Sequence, residues 1–312
     1  MKTSQDMNVP HQLKAAKQNA KLVVFIGPPK TGTTSIIASL GTKENRATLR
    51  SKNIFFQEIE KSELTYNELA KKICQDPTLL TLEYVSRQAS TSLMAAEAFW
   101  GCIRDQSLFR FLEHCRSSFN AVEVVFVKRQ VEDLAISQFL QSCKVLLRSN
   151  ATGSVSKYDG PERYKFTESK VVNFLLGRGS IIRPYDSNYL SLSQSGFPVS
   201  YINYSKSRDI VSEFFTRVLD CELQDQSMTK MNRSSSSEDA IQDYLTHKIG
   251  ALLQSEADSL SPARKAVLEG ALQLLPTNLK RAIRRLGGAK FRNQAAEIES
   301  QFREIFPTAK RL

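Results

Sequence analysis

Near the start of the chain, Gly27-Pro28-Pro29-Lys30-Thr31-Gly32-Thr33-Thr34-Ser35 brings two glycines and a lysine together with a run of hydroxyls. This combination suits an oxyanion. Gly32 lets the backbone turn tightly, so that successive N–H groups converge on one anion. The residues that follow place Ile36, Ile37 and Leu40 at helical spacing. A helix opening there adds unpaired N–H donors and the positive end of a dipole. Thr33, Thr34 and Ser35 supply hydroxyls and Lys30 a mobile cation, so a phosphate group is the natural occupant.

The separation of Gly27 and Gly32 matches the GxxxxGK[ST] pattern of nucleoside triphosphatases, but Thr33 stands where that pattern requires lysine. In such enzymes the lysine reaches the β and γ phosphates, and the next hydroxyl holds magnesium. Here the only lysine of the loop, Lys30, precedes the second glycine by two residues. A cation placed that early suits a donor with a single phosphate ahead of the transferred group.

A second segment, Val124-Val-Phe-Val-Lys128-Arg129-Gln130-Val131-Glu132-Asp133-Leu-Ala-Ile-Ser137, also has the chemistry of an anion site. An apolar run ends at Val127, and Arg129 follows where open α/β sheets place their ligands. A helix is expected from Val131, with Glu132 and Asp133 favourable in its first turn. Ser137 then lies about 9 Å along its axis from the start. Arginine grips two phosphate oxygens in a bidentate fork, and serine adds one hydrogen bond.

Together the two segments resemble the sulfotransferase family, which uses 3′-phosphoadenosine 5′-phosphosulfate (PAPS) as donor. Pro29-Lys30-Thr31-Gly32-Thr33-Thr34 is similar to the PKSGTT loop that holds the 5′-phosphosulfate, with Thr31 for Ser and Ser35 in place of a frequent Trp. Arg129, Asp133 and Ser137 fall in register with the 3′-phosphate element RNPxDxxxS, with Gln130-Val131 replacing Asn-Pro. Val199-Ser-Tyr-Ile-Asn-Tyr204 resembles the last core strand of the family, making Tyr204 a candidate nucleotide contact. Arg284-Arg285-Leu-Gly-Gly-Ala-Lys290 is faintly similar to the loop that covers the 3′-phosphate, which makes Arg284 and Arg285 candidate ligands.

The resemblance implies a P-loop nucleoside-kinase-like fold and transfer of a sulfuryl group to a hydroxyl or amine. Lys30, Thr31, Gly32, Thr33, Thr34, Ser35, Arg129, Ser137, Tyr204, Arg284 and Arg285 would bind the donor, and no metal is demanded. Lys30 would also neutralise charge on the leaving oxygens. The family's general base is a His after the third strand or, in glycan and tyrosylprotein members, a Glu. His114 lies in a helical pattern among Phe109, Phe111 and Leu112 and reads as structural. Glu83, after the apolar run Thr78–Leu82, is the first candidate, followed by Glu58 and Glu60.

These residues need a scaffold. Lys21–Ile26 is a continuous apolar run rich in β-branched residues and predicts a buried parallel strand. Similar runs at Asn53–Gln57, Thr78–Leu82, Val122–Val127 and Val199–Asn203 predict four more. Helical patterns lie between them at Ser92–Ser117, Val131–Ser149 and Ser207–Leu219, and fill the chain from Asp239 onward. The alternation predicts an α/β fold, with a central parallel sheet of about five strands flanked by helices and a helical C-terminal third. Residues 1–20 read as a mobile tail and 21–312 as one domain. Asn150–Pro161 and Gln224–Ser237 are rich in polar, turn-forming residues and read as loops.

A net charge of +11 and a pI near 9.4 favour anionic partners. Residues 261–312 hold eleven basic residues against four acidic ones. The charge favours an anionic acceptor, such as a carbohydrate or an acidic metabolite, over a neutral steroid or phenol. Five cysteines without a CxxC pair and three scattered histidines argue against a disulfide framework or structural zinc. Reduced cysteines and a polar start without a signal-type apolar run predict a cytoplasmic protein, and no run is long enough to span a membrane.

Other functions remain in view. A P-loop kinase or NTPase needs the missing lysine and a magnesium-binding Asp. A non-catalytic nucleotide-binding or nucleic-acid-binding protein is a further alternative. Phe291, Phe302 and Phe306, however, are spaced like a helix core and not like a stacking platform, which argues against nucleic acid.

Overall fold

Five short apolar runs pair into one all-parallel sheet, in the order β2-β3-β1-β4-β5, in a computed structural model of the chain. The structure describes residues 20–28, 30–56, 65–80, 84–86, 88–152, 168–178, 183–204, 209–227 and 238–306. The strands are β1 Lys21–Ile26, β2 Ile54–Phe56, β3 Thr91–Ala96, β4 Ala121–Lys128 and β5 Val199–Asn203. Between β1 and β2 come α1 Thr33–Leu40 and α2 Lys43–Ser51. Between β2 and β3 comes α3 Tyr66–Gln75, and between β3 and β4 come α4 Ala98–Cys102 and α5 Ser107–Arg116. The helices α6 Val131–Thr152, α7 Glu168–Leu175 and α8 Arg183–Gln194 precede β5. After it come α9 Ile210–Val218, α10 Glu238–Ser255, α11 Pro262–Leu274 and α12 Leu279–Ile305.

Four of the expected strands form where the apolar runs lie. The third does not. Pro77–Leu79 is a 3₁₀ turn, opened by Asp76, whose carboxylate accepts the Thr78 N–H at 3.1 Å and the Thr78 hydroxyl at 2.6 Å. An Asp cap followed by Pro, which lacks an N–H, favours a helical start over a ladder. The third strand is instead β3, which takes up the start of the helical pattern expected over Ser92–Ser117. Leu, Met and Ala favour a helix in isolation, but Thr91–Ala96 lies between β1 and β2 and buries every residue but the first. Sheet burial overrides propensity there. The expected loop from Asn150 begins later, because α6 continues to Thr152. The tail 1–19, the remainder of that loop, and residues 228–237 of the second loop lie outside the described residues.

The described residues form two compact units, those from Ala20 to Lys128 and from Leu190 to Ser227 in one, and those from Arg129 to Tyr189 and from Glu238 to Phe306 in the other. The first holds the sheet. The pleat sends Val23 and Phe25 to one face, where they pack with Ile36 and Leu40 of α1, Val125 and Val127 of β4, and Val211, Phe214 and Phe215 of α9. Phe25 meets Phe214 edge-on at 4.7 Å between ring centroids. Leu22, Val24 and Ile26 point to the other face, where α4 contacts β1 and α5 contacts β4.

The second unit is helical. Phe174 of α7 packs against Phe139 of α6 at 4.4 Å and against Phe291 of α12 at 5.8 Å, and Tyr189 meets Phe302 at 4.8 Å. Phe291, Phe302 and Phe306 are all buried, as a core reading of their spacing requires. Arg264 of α11 ties helix ends together. Its guanidinium donates to the carbonyls of Phe174 and Leu175 at the end of α7 and to that of Leu286 in α12 at 2.6 Å. Phe174 and Leu175 lie in the last turn of α7 and Leu286 just before a kink, where carbonyls lack part of the helical ladder and a cation satisfies them well. Burial lowers the pKa of Arg264 from its usual value. Just beyond Leu286, α12 kinks at Gly288, with φ 68° and ψ −171°. Among the described residues, no helix is long and apolar enough to cross a membrane.

Candidate functional site

The arrangement of connections places a crevice at the C-terminal end of β1. From β1 the chain goes outward to β2, while from β4 it eventually reaches β5 on the opposite side. Neighbouring parallel strands whose connections leave in opposite directions open a gap at their carboxyl ends, where α/β sheets bind ligands. The loop Gly27–Gly32 leaves β1 at this point and feeds directly into α1.

Its backbone is shaped by two left-handed residues, Lys30 with φ 66° and Gly32 with φ 81°. A lysine in that region stores strain that the surrounding fold must hold in place. Gly32 is the N-cap of α1, and the first hydrogen bond within the helix runs from the Ile36 N–H to the Gly32 carbonyl, 3.1 Å. The N–H groups of Thr33 and Thr34 therefore precede the helical ladder, at its positive end. The interior of the loop is closed by hydroxyls. Thr31, fully buried, donates to the Pro28 carbonyl at 2.6 Å and lies 3.3 Å from the Thr33 hydroxyl. Thr33 folds back over Gly27 so closely that a Cβ there would sit 1.8 Å from its Oγ1. Lys30 and Thr34 are exposed, whereas Thr33 and Ser35 are buried. Pro29 lies outside the described residues.

Gly32 is pinned from both sides. A Cβ there would lie 2.9 Å from Ile210 Cγ2 at the start of α9 and 3.6 Å from Tyr204 Cε2. Gly32→Ala is accordingly expected to lower stability by about 1–3 kcal/mol, through left-handed strain and the collision. Denaturant midpoints check this, and in an Ile210→Ala background the cost of the same substitution should shrink.

The same contact locates Tyr204. Its N–H donates to the Lys128 carbonyl at 2.8 Å, continuing the β4–β5 ladder by one residue and holding the ring against the loop. Tyr204 and the loop are thus brought together.

One carboxylate that sequence reasoning missed joins them. Ala96, the last residue of β3, is in register with Ile26, the last residue of β1. Glu97 therefore emerges beside Gly27. It is half-buried and precedes α4, whose first N–H, from Ala98, is taken by Asn67 Oδ1 of α3 at 2.9 Å. Burial raises the Glu97 pKa above the ordinary carboxylate value, and the charge of Lys30 pulls it part of the way back. A partly desolvated carboxylate at a strand end is a better proton acceptor than a free one. The signal for Glu97 was a strand ending at Ala96, hidden by the helix-forming residues of β3. Glu83, Glu58 and Glu60, the carboxylates expected in this role, lie outside the described residues.

Arg129 and Ser137 begin the second unit. Both are half-buried, Arg129 directly after β4 and Ser137 in the second turn of α6. The start of α6 is capped from within its unit, with the Val131 N–H donating to Glu299 Oε1 of α12 at 2.7 Å. Arg284 reaches the same turn through an ion pair, with Nε 2.7 Å from Glu132 Oε1 and Nη2 3.3 Å from Asp133 Oδ1. Arg285 lies against α11, its guanidinium filling the space that a Cβ on Gly270 would occupy. Arg284-Arg285 and the glycines after them are part of a kinked helix, where the resemblance implied a covering loop. Among the described residues, no group of three or more His, Cys, Asp or Glu is placed to hold a metal ion.

Comparison with protein families, curated proteins and solved structures found no match for this chain. The site therefore stands on its own geometry. It consists of a strained glycine-threonine loop at a helix start, an exposed lysine, a tyrosine against the loop, and a partly buried carboxylate on the adjacent strand.

Proposed function

We propose that this protein is a PAPS-dependent sulfotransferase, passing a sulfuryl group to a hydroxyl or amine of an anionic acceptor such as a carbohydrate or acidic metabolite. The observation that carries the reading is that Glu97 follows β3 beside the loop that leaves β1, with the charge of Lys30 acting on it. A cation and a base at adjacent strand ends answer the two needs of group transfer, stabilising the leaving group and accepting the acceptor's proton.

In this reading the N–H groups of Thr33 and Thr34 hold the 5′-phosphate, and Tyr204 borders the nucleotide. Glu97 takes the acceptor's proton as the acceptor oxygen or nitrogen forms its bond to sulfur. The bond from sulfur to the phosphate oxygen breaks, and Lys30 offsets the charge that collects on that oxygen. Adenosine 3′,5′-bisphosphate leaves. The expected ligands of the 3′-phosphate remain Arg129 and Ser137, on the strength of their sequence resemblance alone.

Transfer of labelled sulfur from PAPS across a panel of acidic glycans, phenols and amines tests the proposal. Label should appear on at least one acceptor together with adenosine 3′,5′-bisphosphate. Release of the γ-phosphate from ATP with magnesium, and none of the sulfur label, would turn the reading toward a kinase. Arg129→Ala is expected to weaken donor binding about 10-fold or more, the worth of a charged hydrogen bond, with a smaller effect on the rate at saturating donor. Unchanged donor affinity in that variant would remove Arg129 from the 3′-phosphate.

A further inference from the structure

Glu97 stands at the start of a helix that its side chain does not cap. It is the N-cap residue of α4, a position where an extended backbone normally lets the side chain accept an N–H of the first turn. Its backbone is instead right-handed helical, with φ −67° and ψ −32°, and its carboxylate makes no such hydrogen bond. The Glu97 carbonyl accepts the Trp100 N–H at 3.1 Å. The Ala98 N–H, one of the orphan donors of a helix start, goes to another helix, where Asn67 Oδ1 of α3 accepts it at 2.9 Å.

Asn67 is itself held by both of its neighbours. Tyr66 stacks on Phe56 of β2, with ring centroids 5.3 Å apart and planes at 17°. Glu68 accepts the Thr65 N–H at 2.7 Å, while its own N–H goes to the Thr65 hydroxyl at 3.3 Å. This reciprocal capping fixes the first turn of α3. In turn β2 pairs with β3, the strand that ends one residue before Glu97. The amide that caps α4 is thus mounted on the same sheet as the carboxylate it serves.

We propose that Asn67 is a positioning residue for Glu97: by capping α4 from outside, it leaves the Glu97 carboxylate out of the cap and available to the loop that leaves β1. An acidic side chain at a helix start competes for the N–H groups there. With the Ala98 N–H already taken, that competition is weakened. The charged form of Glu97 then forgoes a hydrogen bond, which agrees with a pKa raised chiefly by burial and opposed by Lys30.

Among the described residues, the other charged groups on the elements packed against α4 are exposed or engaged elsewhere. Glu68 of α3 bonds to Thr65, Lys21 of β1 to Glu123, and Glu113 of α5 to Arg116. Lys71 and Lys72 of α3 and Arg110 of α5 are exposed. His114 and Arg116 stand in the last turn of α5, which leads to the N-terminal end of β4. After α4, Arg104 is exposed and Asp105 accepts from Ser107. That a positioned Glu97 serves catalysis rests on the proposed function. The hold on its carboxylate does not.

Two substitutions test the role. Asn67→Ala removes the acceptor, and Asn67→Asp keeps an oxygen in its place while adding a charge. With Asn67→Ala, transfer at saturating acceptor should slow by about 10-fold or more, with the acceptor KM little changed, as for a misplaced catalytic group. The freed Ala98 N–H becomes available to Glu97, so the pH limb should move down toward the ordinary carboxylate value. Asn67→Asp should recover most of the rate above its own limb, which moves up because a second carboxylate disfavours the charged Glu97. The same shifts are read without turnover by NMR of isotope-labelled glutamate carboxylates, the Glu97 signal being assigned with Glu97→Gln. Ser261→Ala, which removes the side-chain cap of α11, should lower stability and move neither the limb nor the signal.

A Glu97 titration unmoved in Asn67→Ala would overturn the proposal. So would an equal loss of rate in Ser261→Ala, or an Asn67→Asp variant as slow as Asn67→Ala at every pH. If the titration moves as stated and the wild type transfers no sulfur, the hold on the carboxylate stands and the sulfotransferase reading fails. If the wild type transfers sulfur and Asn67→Ala matches it, the reading stands and the positioning role fails.

Discussion

Lys30→Ala should reduce sulfur transfer by about 10²–10³-fold or more at saturating donor, the cost of removing a preorganised charge from a developing anion. The side chain is exposed and its charge acts on Glu97. Its loss should therefore leave the fold intact, and a conservative Lys30→Arg should recover only part of the rate, because a planar fork does not replace a compact ammonium at the same point. The measurement is the single-turnover rate with thermal unfolding run in parallel. A variant that loses activity and stability together would point to a structural lysine in a strained loop. A variant that loses only activity supports the charge-stabilising role.

Glu97→Gln should cost about 10²–10⁴-fold in the rate of transfer, the usual worth of a general base. Two further signs distinguish a base from a structural carboxylate. The first is the pH profile. Burial raises the Glu97 pKa and Lys30 partly lowers it. The rate should therefore rise with pH through a limb lying above the ordinary carboxylate range, and Lys30→Met should move that limb further up. The second is stability. A carboxyl whose pKa is raised on folding binds its proton more tightly in the native state, so stability falls as pH rises from the unfolded value through the folded one. Glu97→Gln removes this penalty. The variant should be as stable as the wild type in acid and more stable once pH exceeds the folded pKa of Glu97. Gained stability with lost activity is the signature of a site held at a cost to the fold.

The loop was legible because its strand was. Lys21–Ile26 is apolar without interruption and ends on a glycine, so the start of α1 and the position of Lys30 followed from the residues themselves. The same held for β4 and β5, and hence for Arg129 and Tyr204 at their ends. Glu97 was hidden for a physical reason. The third strand is made of Thr-Ser-Leu-Met-Ala-Ala, of which Leu, Met and Ala favour a helix unless a sheet closes around them, and only pairing with both β1 and β2 makes them a strand. The apolar run Thr78–Leu82 looked the better strand, but Asp76 and Pro77 start a 3₁₀ turn through Leu79. A base sought after that run falls on Glu83 and passes over Glu97. The C-terminal arginines were hard to read for another reason. Clustered cations beside glycines suit a phosphate clamp and a kinked helix equally well, and nothing local separates the two. The ion pairs of Arg284 with Glu132 and Asp133 span about 150 residues of sequence, beyond the reach of any short motif.

Calorimetric titration of adenosine 3′,5′-bisphosphate, set against ATP with magnesium, tests the central claim most directly. The wild type should bind the bisphosphate in preference to ATP, without needing the metal, and Lys30→Ala and Gly32→Ala should each weaken that binding. Preference for ATP with magnesium, or bisphosphate binding that neither loop substitution alters, would contradict it.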